Sequence, residues 1–207
     1  MNFRKSVRKK RRLTMNKRLF VTLIPVGIGV NIVGGLLAQT LKLPIFLDSI
    51  GTMLTAVILG PWLGALTGLL SNLLQGLFTD PINIPFGLVN AVIGLVVGFL
   101  ALKRGFEDYV TPLIAGLILS VLAPIIGTPI AVYLFGGVTG GGVDLIYTVL
   151  LKAGNEIFAS AFLARVPANL VDKLISAYLI MAIVRKLPVA MKGYAVPGAK
   201  RTEKITA

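Results

Sequence analysis

The chain has 207 residues, 56% of them hydrophobic and only 14% charged, against roughly 25% charged in an ordinary soluble domain, so it lacks the polar surface to cover a soluble fold of its size. It contains neither cysteine nor histidine, which excludes disulfide staples, thiolate or imidazole metal sites, cysteine nucleophiles and histidine acid–base chemistry. The net charge of +13 sits mainly at the two ends: nine of the 21 Lys and Arg residues fall within residues 2–18 and six more follow Val184. A basic arm of this kind can bind nucleic acid, but no recognition element accompanies it and it abuts an apolar segment. It reads as a cytoplasmic anchor that meets the anionic lipid of a bilayer, with no nucleic acid as partner.

A helix needs about 20 mostly apolar residues to cross the hydrocarbon core. The first candidate covers residues 19–41. It is too long for the apolar centre of a signal peptide and further spans follow, so it is expected to be retained. Gly60-Pro61 divides residues 45–59 from 62–78, and Thr79-Asp80-Pro81 divides the latter from 86–102. The polar patch at residues 103–108 ends the fourth helix. The fifth, residues 109–135, carries Pro112, Pro124 and Pro129 and should be kinked. A Gly-rich turn at 136–142 leads into 143–164, apolar but interrupted by Asp144, Lys152 and Glu156. The last helix is expected at 167–187.

Basic flanks mark the cytoplasmic side. Six spans place the N-terminal arm (1–18), the Lys103-Arg104 loop and the tail (189–207) together inside, whereas a seventh through 143–164 would put the tail outside. The expected fold is therefore an all-α membrane protein: a six-transmembrane-helix bundle over residues 19–188, both termini cytoplasmic. Residues 136–165 form an outer loop or lid, partly helical, over the outer face.

Membrane helices associate where small residues let backbones approach. The first helix offers Gly27, Gly34 and Ala38, the third Gly60, Gly64, Gly68 and Gly76, and the fourth Gly94 and Gly98. Such stripes serve the chain's own bundle or receive another membrane subunit. Ionisable groups at membrane depth are costly and point to function. Asp48 either caps the second helix or faces a ligand. Asn72 and Asn90 need partners in an apolar bundle, while Asp80-Pro81 is turn chemistry. Asn169, Asp172, Lys173 and Ser176 share one face of the last helix, with Arg165 one turn earlier. That face suits an internal ion-pair network or a bound solute. No P-loop, G-x-S-x-G elbow or H-E-x-x-H pattern occurs, so neither an enzyme nor a cofactor is expected.

The segments KLPIFLDSIGTMLTAVILGPWLGALTGLLSNLLQGL (residues 42–77) and PANLVDKLISAYLIMAIVRKLP (residues 167–188) resemble the substrate-binding S components of energy-coupling factor (ECF) transporters, the vitamin uptake systems of prokaryotic cell membranes. The similarity extends over residues 19–188. It implies a six-helix subunit that captures a vitamin-like small molecule in a pocket near the outer face, built from helix ends and outer loops. Such a subunit docks on a membrane coupling subunit with two cytoplasmic ATPases and topples to release its cargo. Mapped onto this chain, the substrate-binding candidates are Asp48, Asn72, Asn83, Asn90, Asp144, Asn155, Glu156, Arg165 and Asn169. Gly27, Gly34 and Ala38 are an approximate counterpart of the family's coupling-subunit interface. The Gly-rich 136–142 turn becomes a hinge for a lid. Many acceptors and few cation clusters suggest a neutral or cationic ligand more than a strongly anionic one. The competing functions are a stand-alone ion-coupled secondary transporter and a membrane sensor that binds without transporting.

Overall fold

A computed structural model describes residues 12–13, 17–196 and 200–201. The basic arm and the end of the tail, as assigned from the sequence, lie largely outside these residues. Seven α-helices follow in order: α1 Lys17–Thr40, α2 Ile50–Leu59, α3 Pro61–Phe78, α4 Asn83–Arg104, α5 Val110–Phe135, α6 Val143–Lys152 and α7 Ile157–Lys186. Two single 3-10 turns, Val189–Met191 and Gly193–Ala195, come next, and a two-residue strand β1, Arg12–Leu13, pairs in parallel with β2, Lys200–Arg201.

Four helices are long and apolar enough to cross a membrane: the Thr22–Thr40 part of α1, α4, α5 and α7. The last three have 22, 26 and 30 residues, or about 33–45 Å at 1.5 Å per residue. Their outer faces carry large apolar side chains at helical spacing, such as Leu113, Leu117, Val121 and Ile125 on α5, all exposed. Apolar surface on this scale belongs against lipid, and the chain is an all-α membrane protein. The core beneath it packs Met53 and Val57 of α2, Ile93 and Val97 of α4, Leu119 of α5 and Ile180 and Val184 of α7.

The tightest seam joins α3 to α4. A Cβ at Gly94 would run into the Gly64 and Ala65 backbone, one at Gly98 into Pro61, and one at Gly68 into the Asn90 carbonyl. The four-residue glycine spacing thus buries backbone against backbone, a means of close packing where lipid removes the hydrophobic drive between helices. Gly60, at φ 100°, reverses the chain between α2 and α3, with Pro61 opening α3. Only glycine adopts that conformation readily.

The α2–α3 turn, the α4–α5 turn and residues 188–196 gather at one end. There Tyr194 lies against Gly60, the Phe106 N–H donates to the Ala195 carbonyl (2.8 Å), and Lys192 pairs with Glu107. The loop of residues 41–49, the α3–α4 turn, the Gly-rich turn and α6 lie at the other.

Three helix starts differ from expectation. The second begins at Ile50, not at 45, because the Phe46 and Leu47 N–H groups are bound by Asp172 and Leu47 adopts φ 55°. The fourth begins at Asn83, since Pro85 falls in its first turn, where no N–H is needed. The last begins at Ile157, ten residues before the expected 167, with Pro167 inside it. Residues 143–164 are therefore not one segment over the outer face. They are α6, about 15 Å long and too short to cross, followed after Gly154 by the first turns of α7.

Candidate functional site

Residues from six helices (α1 and α3 to α7) and from the loops between them converge at the loop end of the bundle. The loop of residues 41–49 is fastened to α7 by two consecutive charged side chains. Asp172, 0% exposed, accepts the Leu47 N–H (2.8 Å) and the Phe46 N–H (3.3 Å) on one oxygen and the Lys173 ammonium (2.5 Å) on the other. Lys173 also donates to the Ser49 hydroxyl (2.7 Å) and lies 3.7 Å from an Asp48 carboxylate oxygen. Two carboxylates thus share one buried ammonium, and Asp48 is held at the rim of the space between the helices.

An amide relay runs across α3 and α4. Asn72 donates to the Asn83 carbonyl (3.1 Å), and Asn90 donates to the Asn72 side-chain oxygen (2.9 Å) and to the Asp48 carbonyl (3.0 Å). On α7, Arg165 donates to the Ala161 and Gly137 carbonyls (3.1 and 3.3 Å), and Asn169 donates to the Arg165 carbonyl (2.9 Å). The Gly-rich turn closes over these groups. Lys42 donates to the Gly140 carbonyl (2.6 Å), and Gly142 sits so close to the Lys42 and Leu43 carbonyls that a side chain there would not fit.

These elements surround a cavity of about 120 Å³. Six of the nine substrate-binding candidates line it: Asp48, Asn72, Asn83, Asn90, Arg165 and Asn169. Phe46, Phe86, Val89, Ile93, Ala123 and Gly127 supply its apolar wall. The other three candidates are elsewhere. Asp144 accepts the Thr139 N–H (2.8 Å), the Thr139 hydroxyl (3.2 Å) and the Gly140 N–H (2.6 Å), so its carboxylate folds the Gly-rich turn. Asn155 and Glu156 are exposed in the α6–α7 turn, where Asn155 donates to the Leu150 carbonyl at the end of α6. Gln75 and Lys173, which were not among the substrate-binding candidates, also line the cavity, Lys173 from the polar face already read on the last helix. Gln75 had a signal, standing three residues beyond Asn72 on the same helix face.

The small residues assigned to a coupling-subunit interface also need correction. A Cβ at Gly27 would lie 2.7 Å from the Thr55 hydroxyl and 3.0 Å from the Gly51 carbonyl, and one at Gly34 would strike the Leu47 carbonyl. Ala38, 3% exposed, lines the cavity. All three serve the packing of α1 on α2 and on the 41–49 loop. The outward face of α1 instead shows Val26, Val30, Val33 and Leu37.

The arrangement is that of a small-molecule binding site: a partly open cavity with an apolar wall, a few fixed polar groups and fastened loops beside them. No curated protein matches the sequence. Residues 19–184, from α1 to the end of the α7 core, match the family model described as ECF transporter, substrate-specific component. That match reaches all seven α-helices and covers every residue of the cavity, and the chain belongs to this family of membrane transport subunits.

Proposed function

We propose that the chain is the capture subunit of a prokaryotic ECF-type importer. It takes a vitamin-like micronutrient at the outer face and delivers it inward when docked on a membrane coupling subunit with two ATPases. The observation that carries this reading is the cavity at the loop end, partly open and mostly apolar with a few fixed polar groups. Its volume of about 120 Å³ suits a small solute rather than a peptide or other large ligand.

In the proposed orientation the chain crosses six times, through α1 to α5 and α7, with α6 resting at the outer surface. The end that gathers Lys103, Arg104, Arg185, Lys186 and Lys192 faces the cytoplasm, in keeping with the distribution of basic residues. Loading requires the 41–49 loop and the Gly-rich turn to part. They are joined by few side-chain bonds, chiefly Lys42 to the Gly140 carbonyl. The 41–49 loop also holds two non-glycine residues, Lys42 and Leu47, at φ 51° and 55°, a conformation that costs about 1 kcal/mol each and favours release.

The test is uptake in cells. Transport should require the ATPases, and the chain should co-purify with a coupling subunit. Uptake that persists with inactive ATPases and stops when an ion gradient is collapsed would instead identify a secondary transporter.

A further inference from the structure

Two buried groups in the cavity have hydrogen-bonding capacity that the protein leaves unused. Arg165 is 3% exposed and lines the cavity. Its guanidinium has five N–H donors and keeps its charge, yet its partners are two backbone carbonyls. The ion pairs among the described residues join Lys173 to Asp48 and Asp172, and Lys192 to Glu107. None reaches Arg165. Asp144 has both carboxylate oxygens engaged by Thr139 and Gly140. The attraction of Asp144 reaches Arg165 without a direct ion pair, so the guanidinium keeps N–H donors open to an anion entering the cavity.

The second group is Asn90, 2% exposed, whose side-chain oxygen has no partner. Its orientation is fixed by its neighbours. The Asn72 amide must donate to the Asn83 carbonyl, so its oxygen is an acceptor; the Asp48 carbonyl is another. Asn90 must therefore turn its NH2 toward both, leaving its oxygen to accept from something else. Next to it, two carboxyl groups share the single Lys173 ammonium, so that side of the cavity presents oxygen acceptors. One side accepts hydrogen bonds and the other donates them from a cation.

We propose that the solute is a small dipolar acid, its anionic group held by Arg165 and an N–H or O–H of its own donated to the Asn90 oxygen beside Asp48. This inference rests on the solute-capture reading and narrows its substrate class. It replaces the expectation of a neutral or cationic ligand, which could not tell that Lys173 is consumed by carboxylates while Arg165 is not.

The test uses the full chain purified in mild detergent. Small molecules released on denaturation are identified by mass spectrometry for the wild type, Arg165→Gln and Arg165→Lys, each confirmed as folded by gel filtration. In parallel, thermal stabilisation is measured with 4-aminobenzoate and 5-aminovalerate, each against its carboxamide, and with 4-dimethylaminobenzoate, which lacks the N–H. The expected result is a released acid that Arg165→Gln holds about 10- to 100-fold more weakly, the range for a hydrogen bond to a charged group, with partial recovery in Arg165→Lys. At least one acid should stabilise the wild type, its carboxamide should not, and the dimethylated probe should be weaker than its parent. A released solute without an acidic group, equal retention by Arg165→Gln, or stabilisation by neither acid when nothing is released overturns the inference. ATPase-dependent uptake surviving any of these outcomes leaves the capture reading standing, and its loss removes both.

Discussion

Asn31 is 0% exposed inside α1, and every hydrogen bond its amide can make is made. It donates to the Thr52 and Ser71 hydroxyls (2.8 and 2.9 Å) and accepts the Gly51 and Thr52 N–H groups (2.7 and 3.3 Å). It thereby caps α2 from a different helix, where Ser49, at the N-cap, makes no side-chain cap bond. Replacing Asn31 with Leu strips those N–H groups and the Thr52 hydroxyl of their Asn31 bonds, while Ser71 keeps its bond to the Thr67 carbonyl (2.7 Å). The expected cost is about 2–4 kcal/mol, read as a lower midpoint in thermal unfolding. Lys173 supports a second prediction. Lys173→Met strands Asp48 and Asp172 without their cation, at about 3–5 kcal/mol. Adding Asp172→Asn removes one of the stranded charges and keeps an oxygen for the Phe46 and Leu47 N–H groups, so the double variant should unfold at a higher temperature than the single one. An additive result would deny the coupling. At this scale the sequence was legible where a polar atom inside an apolar helix has few places to go, as with Asn72, Asn90 and Asn169. It was not legible for Asp144, because a carboxylate that folds a glycine turn and one that faces a ligand have the same sequence signature. Arg165 was legible as a pocket residue, but its lack of a direct ion pair is a property of packing alone.

At the scale of helices, the α3–α4 seam makes the sharpest claim. Gly94 faces the Gly64–Ala65 backbone with no room for a methyl group, while Gly29 on α1 has nothing within 4 Å of where a Cβ would stand. Gly94→Val should therefore force the two helices apart, at 1–3 kcal/mol or more as overpacking. It should also disturb the Asn90–Asn72 bond four residues away. Gly29→Val should leave the unfolding midpoint close to that of the wild type or raise it slightly, since valine is a better helix residue than glycine. Equal effects at the two sites would mean that the seam is not close-packed. The glycine spacing that predicts this seam was readable, because four-residue repeats of small side chains in apolar helices have one main physical use. The start of α7 was not. A proline fits the first turn of a helix as well as the interior of a membrane helix, and Lys152 and Glu156 made the preceding residues look like loop. What decides is that Arg165 is buried against the Gly-rich turn, a contact between residues 28 positions apart. The small residues of α1 failed for a related reason: their spacing shows that something packs closely, but not which surface it is.

At the scale of the whole molecule, the arrangement of charge and of short elements bears on how the chain sits in the bilayer. The α4–α5 turn meets the end of α7 and the residues after it directly, through the Arg185 donor to the Glu107 carbonyl and the Lys192–Glu107 pair. Whatever side holds one must hold the other. With α6 only ten residues long, the chain from the Gly-rich turn to Glu156 stays on one side, and α7 then returns it to the basic end. The absence of cysteine makes this testable without a background. Single cysteines at Glu156, Lys103 and Lys186, all exposed positions, are treated with a membrane-impermeant maleimide on intact cells and again after permeabilisation. Glu156→Cys should react in intact cells, and the other two only once the membrane is opened. Labelling of Lys186→Cys but not Lys103→Cys from outside would contradict the contact between the two turns as well as the orientation. Labelling of both, with Glu156→Cys protected, would invert the molecule. The cavity would then open to the cytoplasm, where a capture subunit has nothing to gather, so this one measurement bears on the proposed function as directly as it does on the fold.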